Sequence, residues 1–382
     1  MKAIRNVNIV LTDRVILNGT IVFDEKIQEI LHSSDLSKYK DIEVIDGMGG
    51  YVTPGFIDIH IHGFYGHDTM EGSYEAINTM SKNVVKTGVT SFLPTTMTME
   101  YKIIKRALEN VVSIKEEKFD GAKVLGVNLE GPFINPKYKG AQMEEYILEP
   151  DIQLIEDYLD IIKIVTVAPE ISGAEDFIKK IKEKGIVTSV GHSGATYEEV
   201  ERAREWGLSH ATHLFNAMTG LHHRKPGVVG AVLSTEMTCE IIVDNVHLNP
   251  AILKIITRAK DNKDIILITD SMQAGGLSED VYSLGGQKVI VRNGEARLES
   301  GALAGSVLTI DRAIRNMLSA TGLPINEVVN MATINPARLL KIDDKIGHLK
   351  EGLQSDIVLL NRDFRVEKVY LEGENKLEQT KL

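Results

Sequence analysis

The sequence predicts an α/β fold: a (β/α)8 TIM-like barrel with a small β-domain built from both chain ends. Three observations carry this. Between residues 54 and 341 eight short apolar runs occur, most of them separated by stretches of helical periodicity. The first fifty residues and the last forty share another style, short alternating strands broken by turn signals. The chain has 382 residues, enough for one core of roughly 250 residues and a smaller module. A doubly wound open sheet is the runner-up for the same alternation of runs.

The N-terminal strands are NVNIVLT, RVILNGTIVFD, KIQEIL and EVIDGMG, with Asn-Gly and Asp-Gly as turn signals. SDIVLLNRDF and VEKVYLEG repeat the style at the other end. Neither end can hold a core alone, so residues 1–53 and 342–382 are expected to pair, with 54–341 inserted between them. GMGG (47–50) lacks the spacing of a phosphate loop and reads as a turn. The eight central runs are GFIDIHI, VTSFLPT, VLGVNLE, IKIVTVAP, IVTSVGH, HATHLF, EIIVDNVH and DIILITD. YEAINTMSKNVVK, IKKIKEK and YEEVERAREW are among the helices between them. After the eighth run, KVIVRNGEARLE predicts a hairpin on its Asn-Gly turn, and helices follow around 307–320 and 326–340. In VLTIDRAIRNML, the residues Val307, Ile310, Ile314 and Met317 form one apolar stripe, and Ser306 is the expected N-cap.

A hydrophobic share of 43% and a charged share of 25% are those of an ordinary globular protein. The net charge of −11 argues against nucleic acid, whose binding requires a basic surface, but leaves room for a small phosphorylated substrate held by a local cluster of donors. Cys239 is the single cysteine, so no intrachain disulfide forms; it reads as a small buried apolar residue on a strand. MKAIRNVNIVLTDR lacks the apolar core of a signal peptide, and no window of about 18 apolar residues exists. A cytoplasmic protein without a membrane partner is the expectation.

PGFIDIHIHG (54–63) raises the chemical question. In an extended chain Phe56, Asp58, His60 and His62 share one face, and Ile57, Ile59 and Ile61 the other. A solvent-facing strand fits this pattern, and so does a barrel strand with its histidines at the mouth. The ends of the other runs add Glu130 on the third, His192 on the fifth, His213 on the sixth, His247 on the seventh and Asp270 on the eighth. In a parallel barrel these ends meet at one face, where active sites of this fold lie. Imidazoles and carboxylates without a thiolate suit a catalytic divalent ion such as Zn or Fe, with an open position for water. Asp270 is then the natural proton carrier, and metal-assisted hydrolysis the natural chemistry. Behind Asn216, the segment HLFNAMTGLHHRKPG carries His222, His223, Arg224 and Lys225. It reads either as an exposed basic loop or as a cradle for an anionic substrate. SGALAGS (300–306) precedes a helix and would let a substrate approach the backbone.

In chain order PGFIDIHIHG, EGPFINPKYKGA, VGHSGAT, HLFNAM with HRKPG, DNVH, TDSMQAGG and ALAGS resemble the N-acetylglucosamine-6-phosphate deacetylase family of the amidohydrolase superfamily, from about residue 50 to about residue 340. The end segments resemble that family's small β-sandwich domain. The resemblance implies a main metal site on Glu130, His192 and His213, with Asp270 as catalytic acid/base. It implies phosphate binding by Asn216, Ala217 and Arg224, the arginine coming from the neighbouring subunit in dimeric relatives, hence a homodimer. His247 would contact the sugar, Ala141 the substrate, and Leu303, Ala304 and Gly305 would form a loop against it.

Gln142 departs from the histidine that many relatives carry there; its amide can still donate to a developing oxyanion but cannot carry positive charge. The carbamylated lysine of many two-metal relatives is absent, and Glu130 takes the bridging role. His60 and His62 would form a second site, giving one or two ions per subunit. The implied reaction is hydrolysis of N-acetyl-D-glucosamine 6-phosphate to D-glucosamine 6-phosphate and acetate, with metal-bound hydroxide as nucleophile, in amino-sugar catabolism or cell-wall recycling. N-acetylgalactosamine 6-phosphate or another amide is the alternative substrate. A catalytically silent metal-binding protein is the alternative of another class, against which the intact Asp270 argues.

Overall fold

All eight central runs become strands in the computed structural model, which describes residues 1–33 and 36–377. Barrel strands one to eight are Phe56–Ile61, Val89–Pro94, Val127–Glu130, Ile162–Val167, Val187–Val190, His210–Ala211, Thr238–Ile242 and Ile265–Ile268. Strands one and two pair in parallel, and strands three to eight pair successively in parallel. Two junctions curl the sheet into a ring. Thr95 bridges to Asn128 between strands two and three, and Ile61 bridges to Ser271 between strands one and eight. At the second junction the Asp270 N–H donates to His60 O at 2.9 Å. An open doubly wound sheet has no such closure.

Most strand residues are buried on both faces, as in parallel sheets covered by helices. One run is interrupted: in VLGVNLE, Gly126 has φ +141°, and a Cβ there would stand 2.3 Å from Ile161 O. The third strand therefore starts at Val127, and Lys123–Val124 is a separate piece on strand two. The helices lie where periodicity predicts, for instance Tyr74–Val84, Ala174–Glu183 and Tyr197–Trp206. The last of these opens on a reciprocal cap between Thr196 and Glu199, which satisfies two orphan donors.

Past the eighth strand the structure differs from expectation in three places. The helix begins at Ile310 with Thr309 at its N-cap. Ser306 instead donates to Thr269 O at 2.6 Å and accepts from Leu308 N, which ties it to the end of strand eight. Ile310, Ile314 and Met317 face the core as expected, while Val307 packs against the same core from outside the helix. The helix expected at 326–340 is two, Ile325–Asn330 and Ile334–Leu339. Pro336 lacks an N–H and its ring would clash with the carbonyl of Ala332, so a continuous helix is excluded there. The hairpin forms on Asn293 and Gly294, both at positive φ, and a third strand, Val281–Leu284, extends it.

Both chain ends meet in one eight-stranded sheet, where Tyr51–Pro54 pairs with Ile357–Leu360. One face carries its own apolar cluster, including Ile4, Val7, Ile21, Phe23 and Ile357. Val358, Leu360, Val369 and Leu371 join the barrel's core instead. Asn18-Gly19 is not a turn: it lies inside the strand Val15–Phe23, with Asn18 at φ +50° and the register shifted around Val7. Cys239 is buried on strand seven, where burial pushes its thiol up to about 12. Among the described residues no helix is long and apolar enough to cross a membrane.

Candidate metal centre

Six of the residues that end barrel strands converge at one face. Glu130 is at their middle. Its Oε1 lies 3.1 Å from His192 Nε2 and 2.9 Å from His213 Nε2, and its Oε2 lies 3.2 Å from His62 Nε2. His192 and His213 hold their Nε2 atoms 3.1 Å apart; those of His60 and His62 are 3.3 Å apart. Asp270 Oδ1 is 3.2 Å from His62 Nε2 and 3.7 Å from His60 Nε2. All six are buried.

The opposite edges of three of the four rings explain why their Nε2 atoms point inward, whereas His213 Nδ1 is buried without a partner among the described residues. His62 Nδ1 faces Thr95 O at 3.3 Å and His192 Nδ1 faces Tyr138 O at 2.9 Å. His60 Nδ1 faces Glu240 Oε2 at 2.9 Å. Carbonyls and carboxylates only accept, so each Nδ1 carries a proton, and each Nε2 is left with its lone pair as a ligand. Two triads of donor atoms result: His60, His62 and Asp270; and Glu130, His192 and His213. A tetrahedral ion with bonds of ~2.0–2.1 Å would hold its ligand atoms about 3.3 Å apart, close to the spacings here. Asp270 Oδ1, buried, accepts no hydrogen bond among the described residues. The residues fit a divalent ion.

Electrostatics point the same way. Burial opposes charge on His60, yet Glu240 and Glu130 overcome it and push its pKa up to about 9. Against the same penalty, Asp270 and Glu130 hold His62 well above the usual range. Burial also opposes charge on Glu130, but the surrounding imidazoles hold it well below the usual range. A cluster that draws protons so strongly draws cations. Beneath it, burial pushes Asp58 up to about 7, even though Thr269 Oγ1 donates to it at 2.6 Å.

The backbone is strained where the ligands sit. His192, His213 and Asp270 have φ of +47°, +29° and +49°, a region that residues other than glycine rarely occupy. Gly305 has φ +61°, and a Cβ on it would lie 3.0 Å from Asp270 O. Glycine is what lets this loop close against the acid.

A cavity of about 320 Å³ opens above the ligands. Its lining includes Ala141, Gln142, Asn216, Ala217, His247, Leu303 and Gly305, all anticipated. Gln142 is held by both ends of its amide: Oε1 accepts from Thr98 N at 2.6 Å, and Nε2 donates to Glu130 Oε2 at 2.8 Å. His247 Nδ1 donates to Asp244 Oδ2 at 2.7 Å, leaving Nε2 as an acceptor. Asn216 Nδ2 donates to His213 O at 3.1 Å. Ala304 is fully buried and outside the lining. Arg224 is outside it too, in an exposed loop, with Nη1 2.7 Å from His223 Nε2. Within one chain the basic loop does not reach the cavity.

Sequence reasoning missed Met97, Lys137, Tyr138, Leu284 and Ala302, which line the cavity from outside the barrel strands, Leu284 from the end of the strand Val281–Leu284. It also missed Asp244 and Glu240 behind the site. For Glu240 a signal existed, a carboxylate opening an otherwise apolar run on a barrel strand.

Residues 51–376 match the Amidohydrolase family. The chain is 39% identical over 372 residues to the N-acetylglucosamine-6-phosphate deacetylase of Bacillus subtilis, covering 95% of this chain and 94% of that one. It is 37% identical over 326 residues to the N-acetylgalactosamine-6-phosphate deacetylase of Escherichia coli O157:H7, covering 84% and 86%. The crystal structure of N-acetylglucosamine-6-phosphate deacetylase from Pasteurella multocida superposes with a TM-score of 0.92 at 31% identity, covering 98% and 99% of the two chains.

Proposed function

The chain belongs to the amidohydrolase family, a family of metal-dependent hydrolases, and we propose that it hydrolyses the acetamide of N-acetyl-D-glucosamine 6-phosphate to D-glucosamine 6-phosphate and acetate. The observation that carries this reading is the cavity that joins two metal-binding triads to polar groups suited to a sugar phosphate.

Glu130, His192 and His213 would hold one divalent ion, and His60 and His62 beside Asp270 a second, with zinc or iron suited to these ligands. Such an ion supplies a Lewis acid for the acetyl oxygen and acidifies water. Asp270 takes a proton from the attacking water and delivers it to the leaving nitrogen, so the C–N bond breaks to an amine rather than an amide anion. Gln142 spends one N–H on Glu130 and has a second for the acetyl oxygen. His247, held by Asp244, accepts from a sugar hydroxyl through Nε2.

Asn216 and the main chain at Ala217 form a neutral cradle for the phosphate, with Lys137 at the rim as a cation of the same chain. Leu303 and Gly305 form the wall against the sugar, with Ala304 buried behind them, and Ala141 leaves room for the acetyl group. Arg224 completes the phosphate site from a second copy, which makes the working unit a homodimer. The eight-stranded sheet of the chain ends is read as a small β-sandwich domain outside this chemistry, and the cytoplasm as its location. The first test is acetate release from N-acetyl-D-glucosamine 6-phosphate.

The second reading is the galactosamine epimer, favoured by the relative of that name at 37% identity. The substrates differ at one hydroxyl, so side-by-side kcat/KM values separate them.

A further inference from the structure

One carboxylate behind the site is unexplained by the reaction. Glu240, on strand seven, is fully buried and outside the lining of the cavity described above. Its Oε2 accepts from His60 Nδ1 at 2.9 Å and from the main-chain N–H of His213 at 3.2 Å. Its Oε1 faces His210 Nε2 at 3.3 Å, and His210 Nδ1 is in turn 2.7 Å from Thr238 Oγ1. An ionised carboxylate in the interior costs several kcal/mol of desolvation, so its retention asks for a return.

The contacts identify that return. His60 belongs to one triad and His213 to the other. Glu130 touches both from the ligand side, and Glu240 holds both from behind, the first through its ring and the second through its main chain. His62 and His192 are oriented by carbonyls of Thr95 and Tyr138, which no substitution removes. His60 alone depends on a side chain for its tautomer and orientation. A carboxylate on Nδ1 also makes Nε2 a stronger ligand and adds negative charge beside two divalent ions.

We propose that Glu240 is a positioning residue that builds the His60 side of a two-ion centre and ties it to the Glu130 side. This rests on the metal-hydrolase reading above, its two ions per chain included, and adds that the second ion depends on Glu240.

The test is a metal titration of the full-length protein with zinc alone, against a competing chelator, with metal per chain counted by elemental analysis. The protein should bind two ions. In Glu240→Ala the weaker ion's dissociation constant should rise by roughly 10- to 100-fold, as for other partners behind a metal ligand, with the first ion retained. Glu240→Gln keeps an acceptor for His60 Nδ1 without the charge, so it should fall between the two. Thermal melting of the metal-free proteins separates this from general damage. Parallel loss of both ions with a collapsed melting temperature in both variants would mean a merely structural residue and would overturn the proposal. Two ions of unchanged affinity in Glu240→Ala, or a single ion in the unsubstituted protein, would overturn it as well. Absence of any metal binding by the unsubstituted protein would sink the hydrolase reading itself.

Discussion

The floor and the rim of the cavity are built differently. At the floor six ligand-type residues are buried, and His60, His62 and His192 are braced at their Nδ1 edges. At the rim, Arg224 stands in an exposed loop, its guanidinium beside a neighbouring histidine and away from the cavity. Both ligand triads form within one chain, whereas the basic loop lies away from that chain's own cavity. Rigid strand ends suit chemistry that tolerates little error in position, and a projecting loop suits a contact made by a second copy.

The largest effect expected from disturbing the floor is that of Asp270→Asn. It should lower kcat by roughly 10²- to 10⁴-fold, the usual range for a general acid or base, with the ion of the Glu130 side retained. Undiminished turnover would transfer the proton role to another group.

A second disturbance is acid. In the metal-free fold His60 is pushed up to about 9, so below that pH an incoming ion must displace its proton. The sign follows: affinity on this side falls as pH falls from 9 toward 6, by about tenfold per unit for each proton displaced. Chelator competition at several pH values measures it, and a flat profile would separate His60 from metal binding.

At the rim, Arg224→Ala should act chiefly on KM. Loss of a charged hydrogen bond to phosphate is worth about 1.5–3 kcal/mol, or roughly 10- to 100-fold. Mixing Arg224→Ala with Asp270→Asn chains sharpens the contrast. If the arginine serves the neighbour, a mixed dimer has one cavity with an intact floor and an arginine from the partner, and activity recovers. No recovery would return Arg224 to its own chain.

Much of the fold was legible because barrel strands in parallel sheets are continuous apolar runs, and their ends carried the polar residues. The floor followed from topology: once His60, His62, Glu130, His192, His213 and Asp270 end parallel neighbours, they share a face. What escaped was set by nonlocal geometry. The positive φ of His192, His213 and Asp270 has no glycine to announce it. Met97 and Ala302 reach the cavity from loops and Leu284 from the end of a strand outside the barrel, by paths that local patterns do not determine. Asn18-Gly19 carried a turn signal, but pairing with the first strand absorbed it into Val15–Phe23 at a shift of register. Glu240 was visible as an out-of-place charge, but its partners lie 180, 30 and 27 residues away.

The most direct measurement is the rate of acetate release from N-acetyl-D-glucosamine 6-phosphate by the metal-loaded protein, beside the unphosphorylated sugar and a chelated sample. The account predicts rapid release from the sugar phosphate, a much lower kcat/KM without the phosphate, and recovery of the chelated sample when metal is restored. Metal-loaded protein that releases no acetate from the sugar phosphate would contradict it.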